Sequence, residues 1–247
     1  MDTDSGAYSG QERLAEAFAE LVETTVGEFD VHELLQVLAD RCVDVLDVSA
    51  SGLLLANGGG LRMVVASNER AELLELFQIQ HDEGPCLDSY RSGEAIVAEA
   101  VDGGFDRWPR FARACVDPGF SSIIAVPLRV TGKVMGTLNL FGTTERPALN
   151  QTTARVAQAM AHVAAIAIEQ DRISRERATL IVQLETALES RVTIEQAKGM
   201  LANHLDIDLN EAFGRLRHRA RSSRRLLSEV AEEAVLNRGR DYTSAGD

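Results

Sequence analysis

The sequence has few cysteines and no long apolar segment. Only three cysteines occur in 247 residues, Cys42, Cys86 and Cys115, and none forms a CxxC or other metal-ligand spacing. An odd number argues against a disulfide framework, so we expect reduced thiols and no metal site. No run of 18 or more apolar residues is present, and the first residues are acidic and polar where a secretory signal is basic and then apolar. These absences predict a cytoplasmic protein without a membrane partner.

The motifs of common catalytic sites are also missing. The sequence contains no phosphate-binding glycine loop and no catalytic triad motif. An aspartyl-phosphate receiver domain is not evident either. We therefore predict that the protein is not an enzyme.

Negative charge is in excess, but it is unevenly distributed. The net charge is −13, and residues 1–171 carry 12 basic against 26 acidic side chains. Residues 172–240 reverse the balance, with 13 basic against 10 acidic side chains. This distribution indicates two roles in one chain, and it favours the C-terminal part as the place where a polyanion would bind.

The first two thirds of the chain combine helical and strand patterns. Residues 1–10 are small and polar, and we expect them to be disordered. Two amphipathic helical patterns over residues 11–46 precede two pairs of short apolar segments, SGLLLA with LRMVVAS and SSIIAVPLRV with KVMGTLNLF. Each pair is joined by a glycine-containing turn, which is typical of a β-hairpin. With helical segments between and after the hairpins, residues 11–170 are predicted to form an α+β domain.

Two stretches in this region resemble a GAF sensory domain. They are DEGPCLDSYRSGEAIVAEAV and GFSSIIAVPLRVTGKVMGTLNLF, and the resemblance covers about Asp30 to Glu169. It implies an antiparallel sheet with flanking helices and an input from an unknown small-molecule or protein signal. The implied pocket lies between the sheet and the loops after the second helix, and its cofactor is unknown. The candidate lining residues are His81, Asp82, Cys86, Trp108 and Phe111.

Two of these candidates also have a purely structural interpretation. Trp108 fits an anchor that packs a loop on the sheet, and Cys86 fits a small buried apolar residue. A redox enzyme similar to GAF-type methionine sulfoxide reductases would need an attacking and a resolving thiol, which Cys86 and Cys115 could supply. The domain could also serve only as a dimerisation platform.

A heptad pattern connects this domain to the C-terminal part. Apolar residues recur every seven positions along one continuous helical pattern, which predicts a coiled coil over residues 171–189 and a parallel homodimer. The alternative is a single long helix that packs on its own domain. The pattern is formed by Val163, Ile166, Ile173, Leu180, Leu184 and Ala187, with Gln170 and Arg177 as polar interruptions.

Residues 190–238 are predicted to form an all-α three-helix bundle. The first helix continues the connecting helix to Leu205, and the second begins after Asp208, with Glu211 at the capping-box spacing. The third is predicted to begin near Ser222 or Ser223 and to turn Leu226 and the following apolar residues inward. Residues 239–247 are expected to be a disordered tail.

This segment resembles an ANTAR domain over its whole length. Three blocks carry the resemblance: IEQAKGML at 194–201, EAFGRLRHRA at 211–220 and LLSEVAEEAV at 226–235. The resemblance implies a regulator that binds tandem stem-loops in nascent RNA and prevents transcription termination, acting on RNA polymerase indirectly. The candidate RNA-binding residues are Arg191, Gln196, Lys198, Gly199, Arg215, Arg217, Arg219, Arg221, Arg224 and Arg225.

The chemistry of these residues favours a polyanion. Arginine binds phosphates bidentately and stacks on unpaired bases. No aromatic residue interleaves with the arginines, so we do not expect aromatic stacking.

Gly199 inside a helix costs about 1 kcal/mol relative to alanine, which predicts the close approach of another backbone or of a ligand. A DNA-binding helix-turn-helix is the alternative, although its third helix would be acidic at Glu229, Glu232 and Glu233. A solvated arginine face balanced by nearby glutamates remains the structural alternative.

Overall fold

The structure is a computed structural model that describes residues 3–25, 29–100, 103–145 and 149–242. It divides into two compact units, Met1–Arg172 and Ile173–Asp247. We call them the sensory unit and the C-terminal unit. Each is described by itself below.

The sensory unit combines a five-stranded sheet with helices. All neighbouring strands are antiparallel, in the order β2-β1-β5-β4-β3. The predicted α+β class and both predicted hairpins are thereby confirmed. The helices of this unit are α1 (Thr3–Glu23), α2 (Val31–Leu46), α3 (Glu69–His81), α4 (Pro85–Ser92), α5 (Pro109–Ala114) and the start of α6 (Gln151–Leu205). The strands are β1 (Ala50–Asn57), β2 (Gly60–Ala66), β3 (Ile96–Glu99), β4 (Phe120–Val130) and β5 (Lys133–Thr143).

Helix α1 begins earlier than the sequence indicated. It starts at Thr3, so most of the stretch expected to be disordered, residues 1–10, is helical; residues 1 and 2 lie outside the described residues. The physical reason is cooperativity. Once the amphipathic part of a helix has formed, adding a residue at its end is much less costly than starting a new turn.

The hairpin of β4 and β5 owes its register to a two-residue turn. Val130 pairs with Lys133, and both intervening residues have positive φ, 47° at Thr131 and 83° at Gly132. Such a turn matches the twist of the flanking strands. It fixes Asn139 and Thr137 on the same face of β5, two residues apart.

The two faces of the sheet have different cores. Leu53, Leu138 and Ile124 belong to an apolar cluster shared with α1, α2 and α6. Successive residues of a strand point to opposite faces of the sheet, so Phe141 and Ile123 belong to a second cluster, which includes α3 and α5. The second face therefore holds the elements that a sensory pocket would use.

The long helix α6 spans 55 residues, from Gln151 to Leu205. It confirms that the connecting segment is helical and that it continues into the C-terminal unit. Every residue from 174 to 189 is exposed. The pairing of this segment as a coiled coil stays a prediction.

The C-terminal unit is a three-helix arrangement, as predicted. It consists of the end of α6, α7 (Leu209–Ser223) and α8 (Leu227–Leu236), followed by a single 3-10 turn at Arg240–Tyr242. The predicted tail 239–247 thus begins with ordered structure, and residues 243–247 lie outside the described residues. Small side chains allow the helices to approach closely. The fully buried core residues are Ala197, Leu201, Ala212, Leu216, Val230, Ala231 and Ala234.

The cap of α7 agrees with the sequence, whereas the start of α8 does not. The Asp208 carboxylate accepts hydrogen bonds from the backbone amides of Asn210 (2.7 Å) and Glu211 (2.9 Å). The prediction that the third helix begins at Ser222 or Ser223 is wrong. Both serines remain in the last turn of α7, where their hydroxyls donate to the Arg219 carbonyl, and Leu226 is exposed instead of buried.

Candidate nucleic-acid interface and sensory core

The candidates on α6 lie on the surface of the C-terminal unit. Arg191 and Gln196 are exposed, and Lys198 is partly covered. The Lys198 ammonium contacts the Glu195 carboxylate at 2.9 Å and lies 5.4 Å from the centre of the Phe213 ring. One face of α6 therefore presents two cations, of which only Lys198 has a carboxylate partner among the described residues.

Two aromatic rings lie next to basic side chains of the C-terminal unit. The Phe213 ring lies between Lys198 of α6 and Arg217 of α7, whose guanidinium carbon is 5.7 Å from the ring centre. The Arg219 guanidinium carbon lies 5.0 Å from the centre of the Tyr242 ring. Helix packing brings Phe213 to Lys198, and the 3-10 turn brings Tyr242 to Arg219, and both pairs are distant in sequence. Phe213 and Arg217 are four residues apart on α7, a spacing that the sequence does show.

Gly199 has no close internal neighbour. A Cβ atom built at this position would meet nothing within 4 Å, and the same holds for Gly214 on α7. The close approach that the sequence suggested is therefore not made by another part of this chain among the described residues. Packing within the described part of the chain therefore does not require glycine at 199, which costs about 1 kcal/mol relative to alanine in a helix.

The arginines of α7 and the following turn fall into two groups. Arg215, Arg219 and Arg225 pair with carboxylates: Arg215 with Glu211 at 2.7 Å, Arg219 with Glu233 at 3.4 Å, and Arg225 with Glu229 and Glu233. Within the described part of the chain, Arg217, Arg221 and Arg224 have no carboxylate within ion-pair distance. The structural alternative, in which glutamates balance the arginines, thus holds for three of the six arginines. The charge of the other three has no such partner.

The five sensory-pocket candidates lie in three different places. His81 and Asp82 are exposed at the end of α3, where the His81 ring stacks on Phe77 at 4.0 Å and Asp82 pairs with Arg91. Cys86 is buried in a small apolar cluster with Leu54, Leu61 and Leu87. Trp108 and Phe111 are buried in the cluster on the second face of the sheet. The structure therefore does not assemble the five into one lining.

The DEGPC segment has a clear structural role. The Glu83 carboxylate accepts hydrogen bonds from the backbone amides of Arg110 (2.6 Å) and Phe111 (3.2 Å), so it caps α5 from a distant loop. The Trp108 indole donates to Asp88 at 3.0 Å. These contacts fix the loop around Trp108 against α4 and agree with the interpretation of Trp108 as an anchor.

The cysteines are poor nucleophiles in this environment. Burial raises the pKa of the Cys86 thiol well above its ordinary value and raises that of Cys115 to about 12. The two thiols belong to different clusters. Because the thiolate is the reactive form, the structure gives no support to redox chemistry at these residues.

A buried polar cluster between α3 and the sheet escaped the sequence reading. The Asn139 amide donates to Glu75 Oε1 at 2.7 Å, and the Gln78 amide donates to Glu75 Oε2 at 3.1 Å. All three side chains are fully buried, and burial raises the pKa of Glu75 to about 8. The Thr137 hydroxyl and the Asn139 carbonyl oxygen are buried without a partner among the described residues. The sequence does contain one indication of this cluster, because Thr137 and Asn139 are polar residues inside an otherwise apolar strand, and buried polar groups need hydrogen-bond partners.

A shallow surface depression of about 580 Å³ lies beside this region. It is lined by Phe77, His81, Arg110, Arg113 and Ala114.

Among the described residues, no group of three or more His, Cys, Asp or Glu side chains is arranged to hold a metal ion. No helix formed by those residues has the length and apolar character needed to cross a membrane.

Comparison with known proteins agrees with this architecture. The family model described as GAF domain matches residues 29–169, and the ANTAR domain model matches residues 182–235, so both resemblances seen in the sequence are confirmed. No curated protein gives a significant match.

Solved structures show similarity of fold. The chain is similar to the GAF domain of a phosphoenolpyruvate-protein phosphotransferase from Coxiella burnetii, with 11% identity and a TM-score of 0.51 over 67% of this chain and 98% of that one. It is also similar to the GAF domain of the phosphoenolpyruvate-protein phosphotransferase from Acinetobacter, with 14% identity and a TM-score of 0.49 over 64% of this chain and 94% of that one. At such identities only the fold is comparable.

Proposed function

Since the chain belongs to the GAF domain family and carries an ANTAR domain at residues 182–235, we propose that it is a signal-responsive regulator that binds RNA and controls transcription termination. Its ligand would be a pair of stem-loops in nascent RNA, whose formation competes with a terminator. The effect on RNA polymerase would then be indirect. The action is expected in the cytoplasm, where the transcript is made.

The observation that carries the proposal is the uncompensated charge on the C-terminal unit. Arg191, Arg217, Arg221 and Arg224 have no carboxylate within ion-pair distance among the described residues, although the unit also contains glutamates that pair with other arginines. Arginine forks bind phosphate groups through two parallel hydrogen bonds. The rest of the chain is strongly acidic, so this unit is where an RNA would be attracted.

A homodimer would supply the second RNA-binding module. The exposed segment 174–189 of α6 carries Leu180, Ile181, Leu184 and Leu188 on its surface. Apolar residues at heptad spacing are stabilised when two helices pair along them. A parallel pair would place two identical C-terminal units at the same end, one for each stem-loop.

Duplex DNA is a weaker candidate for the ligand. Helix α8, where a recognition helix would usually lie, carries Glu229, Glu232 and Glu233, and two of these glutamates already neutralise Arg225. The redox alternative requires a reactive thiolate, and the buried cysteines disfavour it. A turnover assay with free methionine sulfoxide, in which activity disappears in Cys86→Ser, would be the result in its favour.

The first test compares nucleic acids of equal charge. We expect a labelled two-hairpin RNA to bind more tightly than duplex DNA, and to keep that advantage as salt is raised. Equal binding of both, suppressed equally by salt, would reduce the interaction to nonspecific electrostatics.

Substitutions on α6 sharpen this test. Arg191→Ala and Lys198→Ala should each weaken RNA binding and lower the salt slope by about one, with the helical content unchanged. Arg62→Ala, which removes an exposed cation from the sensory unit, is the matched control. Undiminished affinity in both α6 variants would place the interface elsewhere.

A further inference from the structure

A concavity of about 400 Å³ lies at the junction of α7 and α8. Four arginines line it, Arg217, Arg221, Arg224 and Arg225, together with the apolar side chains of Leu226 and Leu227. The first three arginines have no carboxylate within ion-pair distance in the part of the chain that the structure describes. An apolar surface thus adjoins four guanidinium groups, of which Arg225 is paired with glutamates and the other three are not.

The turn that forms this concavity is not optimised for stability. Arg224 closes α7 with φ 54° and ψ 37°, a left-handed conformation that glycine adopts without cost and arginine does not. Leu226 is the N-cap residue of α8, and its side chain cannot accept hydrogen bonds from the first backbone amides of that helix. Leu226 is also 66% exposed. Glycine at 224 and serine at 226 would make a better turn, so the residues present are better explained by a contact with another molecule.

The lining chemistry fits an unpaired nucleotide. A nucleobase has an apolar face that can lie against Leu226, and its plane can stack on a guanidinium group. The phosphates on either side of the base are acceptors for the remaining arginine forks. Stem-loops expose bases in this way, whereas the bases of a duplex are stacked and paired.

We infer that the concavity at the α7–α8 junction binds one extruded loop nucleotide, with its base against Leu226 and its phosphates on Arg217, Arg221 and Arg224. This inference rests on the proposed function and assigns part of its specificity to one site. The arginines hold the backbone of the loop. The leucine distinguishes an unstacked base from a paired one.

The test begins with a pool of two-hairpin RNAs with randomised loops. The RNA that the full-length protein selects is then made with an abasic site at each loop position in turn. One position is expected to weaken binding by about tenfold when its base is removed. Leu226→Ser should weaken binding of the intact RNA by a similar factor. In that variant, removing the base at the same position should cause no further loss of affinity.

The same variant should raise the stability of the protein while it lowers the RNA affinity. Serine at 226 caps α8, so Leu226→Ser should raise the melting temperature of the protein by a few degrees while it weakens RNA binding. Leu236→Ser is the matched control, because Leu236 is exposed at the other end of the same helix, and it should leave the RNA affinity unchanged. Arg221→Ala should lower the salt slope by about one.

The outcomes separate this inference from the proposed function. If the pool yields no preferred loop and binds no better than duplex DNA, the proposed function fails. If a preferred RNA is selected but Leu226→Ser binds it as the unsubstituted protein does, or if every abasic effect persists in that variant, the nucleotide site is overturned and RNA binding stands.

Discussion

At the scale of single residues, the least expected feature is the buried carboxyl group of Glu75. It lies on α3 and accepts hydrogen bonds from Asn139 on β5 and from Gln78. Gly52 on β1 makes room for it, because a Cβ atom there would lie 2.5 Å from Glu75 Oε1. Burial disfavours the charged form and raises the pKa of Glu75 to about 8, so the side chain is held in its protonated form near neutral pH.

This pKa predicts a pH dependence of stability. The folded protein binds a proton at Glu75 that the unfolded chain, with an ordinary pKa of 4.5, releases. The stability contribution is therefore fully present below pH 4.5 and is lost as the pH rises from 4.5 to about 8, by up to about 1.4 kcal/mol per pH unit. Glutamine cannot ionise, so Glu75→Gln should remove this decline in denaturant unfolding measured across the range.

Glu72→Gln is the control for that measurement, because Glu72 is exposed on the same helix. It should leave the pH profile as it is. An identical slope in Glu75→Gln and in the unsubstituted protein would show that Glu75 does not titrate in this window.

At the scale of elements, the helix ends of the C-terminal unit show which boundaries can be predicted from the sequence and which cannot. Asp208 was recognisable as the cap of α7, because an acidic residue before an apolar-periodic helix has a local mechanism. The start of α8 was misplaced, because the serines that signal a helix start can equally bond back to a carbonyl of the preceding turn. Arg224 in a left-handed conformation carries no sequence signal, since glycine is the residue that normally marks this position.

The open surface at Gly199 gives a prediction for α6. Gly199→Ala should stabilise the helix by about 1 kcal/mol, because the added methyl group meets no other atom of the chain and alanine favours the helix. If RNA approaches the backbone at this point, the same substitution should weaken RNA binding. Thermal unfolding and RNA titration measure the two effects.

Gly214→Ala provides the comparison, because Gly214 is equally open on α7. A more stable Gly199→Ala protein that binds RNA with unchanged affinity would exclude Gly199 from the interface. A loss of both stability and affinity would also contradict the prediction.

At the scale of the whole molecule, one helix belongs to both units. The boundary between the units falls after Arg172, inside α6, and the following segment 174–189 is exposed throughout. In a coiled coil along it, Arg177 and Arg191 would both occupy the heptad position of Leu184. Facing arginines would weaken the pairing of the two helices at both positions.

A dimer through this segment has a simple test. We expect a mass in solution of twice the 26.9 kDa chain, measured by analytical ultracentrifugation, and dissociation in Leu184→Asp, because a charge in the seam loses the apolar contact. Leu73→Asp is the control, since Leu73 is similarly exposed on α3. A monomeric unsubstituted protein, or a Leu184→Asp variant that remains a dimer, would exclude this interface.

Local sequence patterns were sufficient to predict the order of the elements, the two hairpins, the continuous connecting helix and the three-helix unit. These depend on local periodicity, turn residues and caps, which are written along the chain. The tertiary structure was needed to show that Arg219 and Arg225 pair with Glu233, that Lys198 lies beside Phe213, and how Glu75 is buried. These contacts join side chains from different helices, or from a helix and the sheet. The tertiary structure also placed the five pocket candidates in three locations, because they come from the end of α3, from α4 and from the start of α5.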